Sequence, residues 1–173
     1  MITVDELLKQ SHSFDIRSEH LRRLADMLHL RYYQLHTLLG IHLPALSAHL
    51  DAIGADVRLF ACPWFTSCFD DCFPEEQRPL LWRAVREQGH GLASVRIALA
   101  ILQAKQGSLL RAETAQDAAR AVKSFRVARG GGAGAGGGGA SLSAEELLEA
   151  ARRFPVAEDD LDAIEKAYFG SQA

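Results

Sequence analysis

Between Leu59 and Phe69 the chain reads Leu-Phe-Ala-Cys-Pro-Trp-Phe-Thr-Ser-Cys-Phe. On a helical wheel Trp64, Phe65, Cys68, Phe69 and Cys72 cover almost the whole girth. Such a segment has to be enclosed on several sides by other elements. Two more apolar stretches follow, Leu80-Leu81-Trp82 and Val95 to Leu102. The span Leu43–Leu110 is therefore expected to hold the core, with the remainder as supports and extensions. At 173 residues, 48 % hydrophobic and 24 % charged, the chain has the size and composition of one globular domain.

The periodicity predicts helices throughout. Ile2 to Gln10 forms a short helix capped by Thr3 with Leu7 and Leu8 inward, and Ser11 to Asp15 breaks it. A second starts at Ser18 and carries Leu21, Leu24 and Leu28 at helical spacing; Gly40 stops the segment after Leu39. Pro44 opens the next, with Leu46, Leu50 and Ile53 on one side and Gly54 as terminator. Pro63 is expected to open the aromatic helix. Phe73-Pro74-Glu75-Glu76 reads as a fresh start, unless Pro79 delays it to about Arg78. Leu81, Trp82 and Val85 face inward there, and Gly89 and Gly91 end it. Leu92 to Gln103 is a buried helix. Ala112 to Val127 is amphipathic, with Ala115, Ala118, Ala119, Val122 and Phe125 inside. Gly130 to Gly139 cannot bury apolar surface and reads as a flexible, disordered insert. Ser141 or Ser143 caps the following helix, Ser143 with Glu146 making a capping-box pair; Pro155 ends it, and a last helix runs from about Glu158 to Phe169. No segment reads as a strand: the class is all-α.

Chemistry is harder to find. A net charge of −3 offers no basic footprint for nucleic acid. Three cysteines, an odd number, and a polar start at Met1-Ile2-Thr3-Val4-Asp5 without an apolar run argue for a reducing compartment and against a secretory leader. No apolar run approaches the length of a membrane span. Cys62, Cys68 and Cys72 lack zinc-ligand spacing and read as small buried hydrophobes. His36, His42 and His49 do not share a helix face, and His90 reads as a loop residue. Asp70-Asp71 sits at a helix end, and Glu158-Asp159-Asp160 suits a helix start. The glycine run lacks the Lys-Ser/Thr of a phosphate loop. Trp64 and Trp82, as members of apolar stripes, are expected in the core. No metal, cofactor or catalytic residue is expected.

Taken in order, the central elements resemble the C-terminal half of a TBC domain, the Rab GTPase-activating module. The Pro-x-Leu-x-x-His-Leu helix is Pro44, Leu46, His49 and Leu50. The aromatic pattern is Leu59-Phe60, Trp64-Phe65 and Phe69. Pro74 then leads to Leu81-Trp82-Arg83, and Gly89 to an apolar helix with Leu99 and Leu102. Tyr32-Tyr33 and Leu38 suit the segment just before the Pro-x-Leu helix, and five elements in the right order are more specific than any one alone. Pro44, Leu46, His49, Leu50, Phe60, Trp64, Phe65, Phe69, Trp82, Leu99 and Leu102 are thus motif residues of mainly structural role.

The resemblance implies a Rab-type small GTPase as partner, a role in vesicle traffic, and a cytoplasmic place with at most peripheral association with endomembranes. It also implies that catalysis belongs to an Ile-x-x-Asp-x-x-Arg segment and a Tyr-x-Gln-Gly segment, whose arginine and glutamine stabilise the transferring phosphoryl and orient water. An arginine finger contributes about 10³ to 10⁵ in rate. Here Ile2-Thr3-Val4-Asp5-Glu6-Leu7-Leu8 has Leu8 where arginine is needed, and Tyr32-Tyr33-Gln34 is followed by Leu35. Gln34 reads instead as an exposed polar residue of a helix. Arg83 replaces the family's aspartate after tryptophan. The expected organisation is a partial TBC domain over 1–129, a glycine-rich linker over 130–140 and terminal helices over 141–173 packing on the same domain. Such a unit is not itself an enzyme and is inactive alone. The alternative is a non-catalytic helical adaptor.

Overall fold

The computed structural model describes residues 4–128 and 142–171, with side chains from residue 19 onward. Among these residues there are helices and short 3₁₀ turns and no strand. The helices are α1 (Val4–His42), α2 (Pro44–Ala52), α3 (Arg58–Thr66), α4 (Arg78–Gln88), α5 (His90–Leu109), α6 (Ala115–Lys123), α7 (Ala144–Arg153) and α8 (Glu158–Gly170). The expected insert at Gly130–Gly139 and the cap at Thr3 lie outside the described residues, and so do the side chains of Leu7 and Leu8.

Helix α5 is the axis of the fold. It packs against α1, α2, α3, α4, α6 and α7. Leu99, Ile101 and Leu102 are fully buried, and Ala93, Ala98 and Ala100 let neighbouring helices come close. A helix apolar all round is stable only when enclosed. Each fully buried Leu or Ile contributes about 1.5–3 kcal/mol relative to exposure. Ser94, buried on this helix, donates to the carbonyl of His90 at 2.6 Å and so leaves no orphaned hydroxyl.

Several boundaries differ from the expectation. Residues Ser11 to Asp15 do not interrupt α1, because they include neither glycine nor proline and each lowers helix stability by only a few tenths of a kcal/mol. Gly40 lies within α1 as well. Buried Leu38, Leu39 and Leu43 hold the last turn, and the Leu43 amide donates to Leu39 at 2.8 Å.

Pro63 sits inside α3 and does not open it. Its ring forgoes one backbone bond, at a cost of about 3 kcal/mol. The preceding turn is held by fully buried Phe60 and Ala61. The aromatic segment is not one helix either. Cys68 and Phe69 take left-handed φ values of 51° and 62°, and Asp70–Cys72 is a 3₁₀ turn. Cys68 and Cys72 therefore do not share a helix face. The turn sends the Phe69 ring back under Trp64, where the rings stack at 5.7 Å. Stacking and full burial of Phe69 offset two strained backbone positions.

Helix α4 starts at Arg78 with Pro79 in its first turn. Its inward residues are Leu81, Ala84 and Val85. Trp82 is 44 % exposed, against expectation: it lies about 100° around the helix from Leu81, away from the buried stripe. Gly89, at φ 83°, separates α4 from α5, whereas Gly91 is already helical. Helix α6 is shorter than its pattern suggested. Thr114 caps it by accepting from the Asp117 amide at 3.2 Å, and Phe125 and Val127 stay buried in the non-helical chain beyond. The Ser143–Glu146 capping box is formed in both directions, at 3.1 and 2.8 Å. Helix α7 packs on α4 and α5, and α8 on α1.

Candidate functional site

The motif residues divide into a buried set and a surface set. Leu46 and Leu50 of α2 are buried, with Pro44 exposed in its first turn. His49 places Nε2 3.0 Å from the carbonyl of Ala112, tying α2 to the chain after α5. Phe60, Trp64, Phe65 and Phe69 form one aromatic cluster, with Phe60–Trp64 centroids 5.7 Å apart and Phe65–Phe69 at 6.5 Å. Leu99 and Leu102 of α5 are fully buried in the same hydrophobic core. Trp82 and Arg83 are on the surface, and Arg83 reaches only 3.9 Å from Glu87.

Gln34 is not the exposed residue expected from its sequence. It is 1 % exposed. Its Oε1 accepts from Arg31 Nη1 at 2.6 Å, and its Nε2 donates to the carbonyl of Leu161 at 3.2 Å. A buried amide needs such partners, and here they bind α1 to α8. Burial pulls the Arg31 guanidinium below its ordinary value, while Glu165 and then Glu158 act in the opposite direction. The His90 imidazole beside it is lowered by burial first and by Arg31 second. Polar residues thus meet at the junction of α1, α5 and α8, where Gln34 engages Arg31 and Leu161 while the buried Nε of Arg31 has no hydrogen-bond partner.

The cysteines are free thiols, with Cys62 exposed and Cys68 and Cys72 buried. Among the described residues no group of His, Cys, Asp and Glu is arranged to hold a metal ion. Of the acidic pairs, Asp70 meets Arg78 at 2.9 Å, and Asp160 accepts the Ala157 amide at 2.7 Å as part of the α8 start. His42 packs edge-on against Phe154.

A polar cleft that the sequence reading did not single out lies between α1, α3 and α8. It holds His29, Tyr32, Tyr33 and His36 together with Asp56, Arg58 and Tyr168. Arg58 holds the Asp56 carboxyl below its usual range by hydrogen bonding. Burial, followed by a hydrogen bond to Cys62, pushes the Tyr32 phenol up to about 12. The i, i+3, i+4, i+7 spacing of the four α1 residues was the available signal. Their partners come from distant parts of the chain.

No helix among the described residues is long and apolar enough to cross a membrane. The family profile described as Rab-GTPase-TBC domain matches residues 4–110, from the start of α1 through α5. A Caenorhabditis elegans protein, Rab GTPase-activating protein tbc-11, is 34 % identical over 143 residues, which is 83 % of this chain and 14 % of that relative. The chain thus spans a small part of the relative's length.

Proposed function

This chain belongs to the Rab-GTPase-TBC domain family, and from that premise we propose that it acts with a Rab-type GTPase as the helical scaffold of an activating unit, without itself supplying the catalytic arginine and glutamine. The observation that carries the reading is the state of Gln34. It stands in the one Tyr-x-Gln of the sequence, and both ends of its amide are engaged inside the fold, by Arg31 and by the Leu161 carbonyl. A glutamine that orients attacking water has to reach solvent and nucleotide. Leu8, where the family's first motif requires arginine, supports the same reading. The site residues Pro44, Leu46, His49, Leu50, Phe60, Trp64, Phe65, Phe69, Leu99 and Leu102 then serve to build the scaffold, and Trp82 stands on its surface. Vesicle traffic at endomembranes is the matching process.

Single-turnover phosphate release from a panel of GTP-loaded Rab proteins, run beside a binding measurement on the same proteins, tests both halves. The expected result is binding to at least one Rab with hydrolysis at its intrinsic rate. Acceleration abolished by Gln34→Ala would overturn the scaffold reading, and absence of binding across the panel would overturn the partner.

A further inference from the structure

The cleft between α1, α3 and α8 has a volume of about 250 Å³, room for one large side chain. Its walls are mostly rings. Tyr33 of α1 and Tyr168 of α8 face one another at 5.2 Å, and Tyr32 leans on Phe65 at 6.0 Å. Phe169, 52 % exposed and 5.3 Å from Tyr168, adds another aromatic surface beside it. At the start of α3, Asp56 turns its carboxylate to Arg58. Oδ1 accepts the Arg58 amide at 2.7 Å, and Oδ2 accepts Nη2 at 2.6 Å.

We propose that this cleft is an anchor pocket for an arginine side chain presented by a protein partner, with Arg58 holding the place of the incoming guanidinium. Aromatic rings attract cations, arginine most often. A carboxylate with lone pairs to spare gives such a cation its counter-charge. Tyrosine and arginine are also the residues enriched at the centres of protein interfaces. The Arg58 side chain is 60 % exposed, and exposed ion pairs are weak, so a better-seated guanidinium displaces it. An anion does not suit the site, because Asp56 already occupies the start of α3. A metal ion does not suit it either: His29 and His36 are two turns, about 10 Å, apart along the helix. The pocket is independent of the GTPase reading above.

The test is an NMR titration of the whole chain with Nα-acetyl-arginine amide. Nα-acetyl-citrulline amide, similar in shape and uncharged, is the control. Saturable shifts at Tyr33, His36 and Tyr168 are expected, with citrulline weaker by about fivefold or more. Asp56→Asn weakens the arginine probe, and Tyr168→Ala does so while the chain keeps its helical spectrum. Arg58→Ala strengthens binding by removing the competing guanidinium. Equal binding of citrulline, absence of saturable shifts, or weaker binding to Arg58→Ala would each overturn the proposal.

Discussion

The amide of Ala128 donates to the carbonyl of Leu142 across 2.8 Å, so the chain returns after residues 129–141 to the point it left. Val127 is held just before by the Cys72 carbonyl at 2.9 Å, and Ala128 accepts from Gln77 Nε2 at 2.7 Å. Both ends are held by contacts with the body of the protein. Replacing residues 129–141 with four residues is therefore expected to leave the fold intact. It should raise stability by about 1 kcal/mol, the difference in closure entropy between the two loop lengths. Urea denaturation of both chains measures it.

Gly91 and Arg31 set up a substitution whose sign can be reversed. A helical glycine is ordinarily about 1 kcal/mol worse than alanine. A Cβ at Gly91, however, would lie 2.7 Å from an Arg31 guanidinium nitrogen, and that guanidinium is held by Gln34. Gly91→Ala is expected to destabilise by about 1 kcal/mol. In an Arg31→Ala background the same change becomes stabilising by a few tenths to about 1 kcal/mol. A double-mutant cycle by chemical denaturation reads the coupling.

Leu99 and Trp82 are both motif residues of the family resemblance, with opposite surroundings. Leu99→Ala opens a void in α5 and should cost about 2–5 kcal/mol. Trp82→Ala removes a half-exposed ring and should cost under about 1 kcal/mol. Denaturation midpoints of the two variants rank them; a reversed order would place Trp82 in the core.

Cys72 makes the fold sensitive to alkali. Burial, with a smaller push from Asp71 and against Arg126, moves its thiol from 9.0 to about 11. The folded state therefore holds the proton more tightly than the unfolded chain. Its contribution is complete below pH 9 and is lost as pH rises towards 11. The loss is of order 2 kcal/mol by the upper end. Urea midpoints between pH 8 and pH 11 should fall, and Cys72→Ala should fall less. Iodoacetamide at pH 8 should label exposed Cys62 and spare Cys68 and Cys72 until the protein unfolds.

Local features were legible before the structure. The Ser143–Glu146 cap, the Gly54 and Gly89 punctuation, the Pro44 start and the α5 core all depend on residues close together in sequence. What escaped was decided at a distance. The packing of Phe60 overrides Pro63 as a helix start. Phe69 accepts a left-handed backbone because Trp64 rewards it with a stacked ring. Gln34 reads as a surface residue until Leu161, 127 positions away, comes to lie over it. The cleft shows the same division: its four α1 residues share a helical face in the sequence, but nothing local ties them to Asp56 or Tyr168.

The placement of α5 in the middle of the chain has a consequence in time. Part of its apolar surface is covered by α7, whose last residue, Arg153, is made 44 residues after Leu109. At about 5–20 residues per second, a ribosome takes roughly 2–9 s to cross that interval. Helix α6, which ends at Lys123, arrives early in that interval, and the side that α7 covers stays wet until its end. During synthesis, that uncovered side is where a chaperone would find its grip.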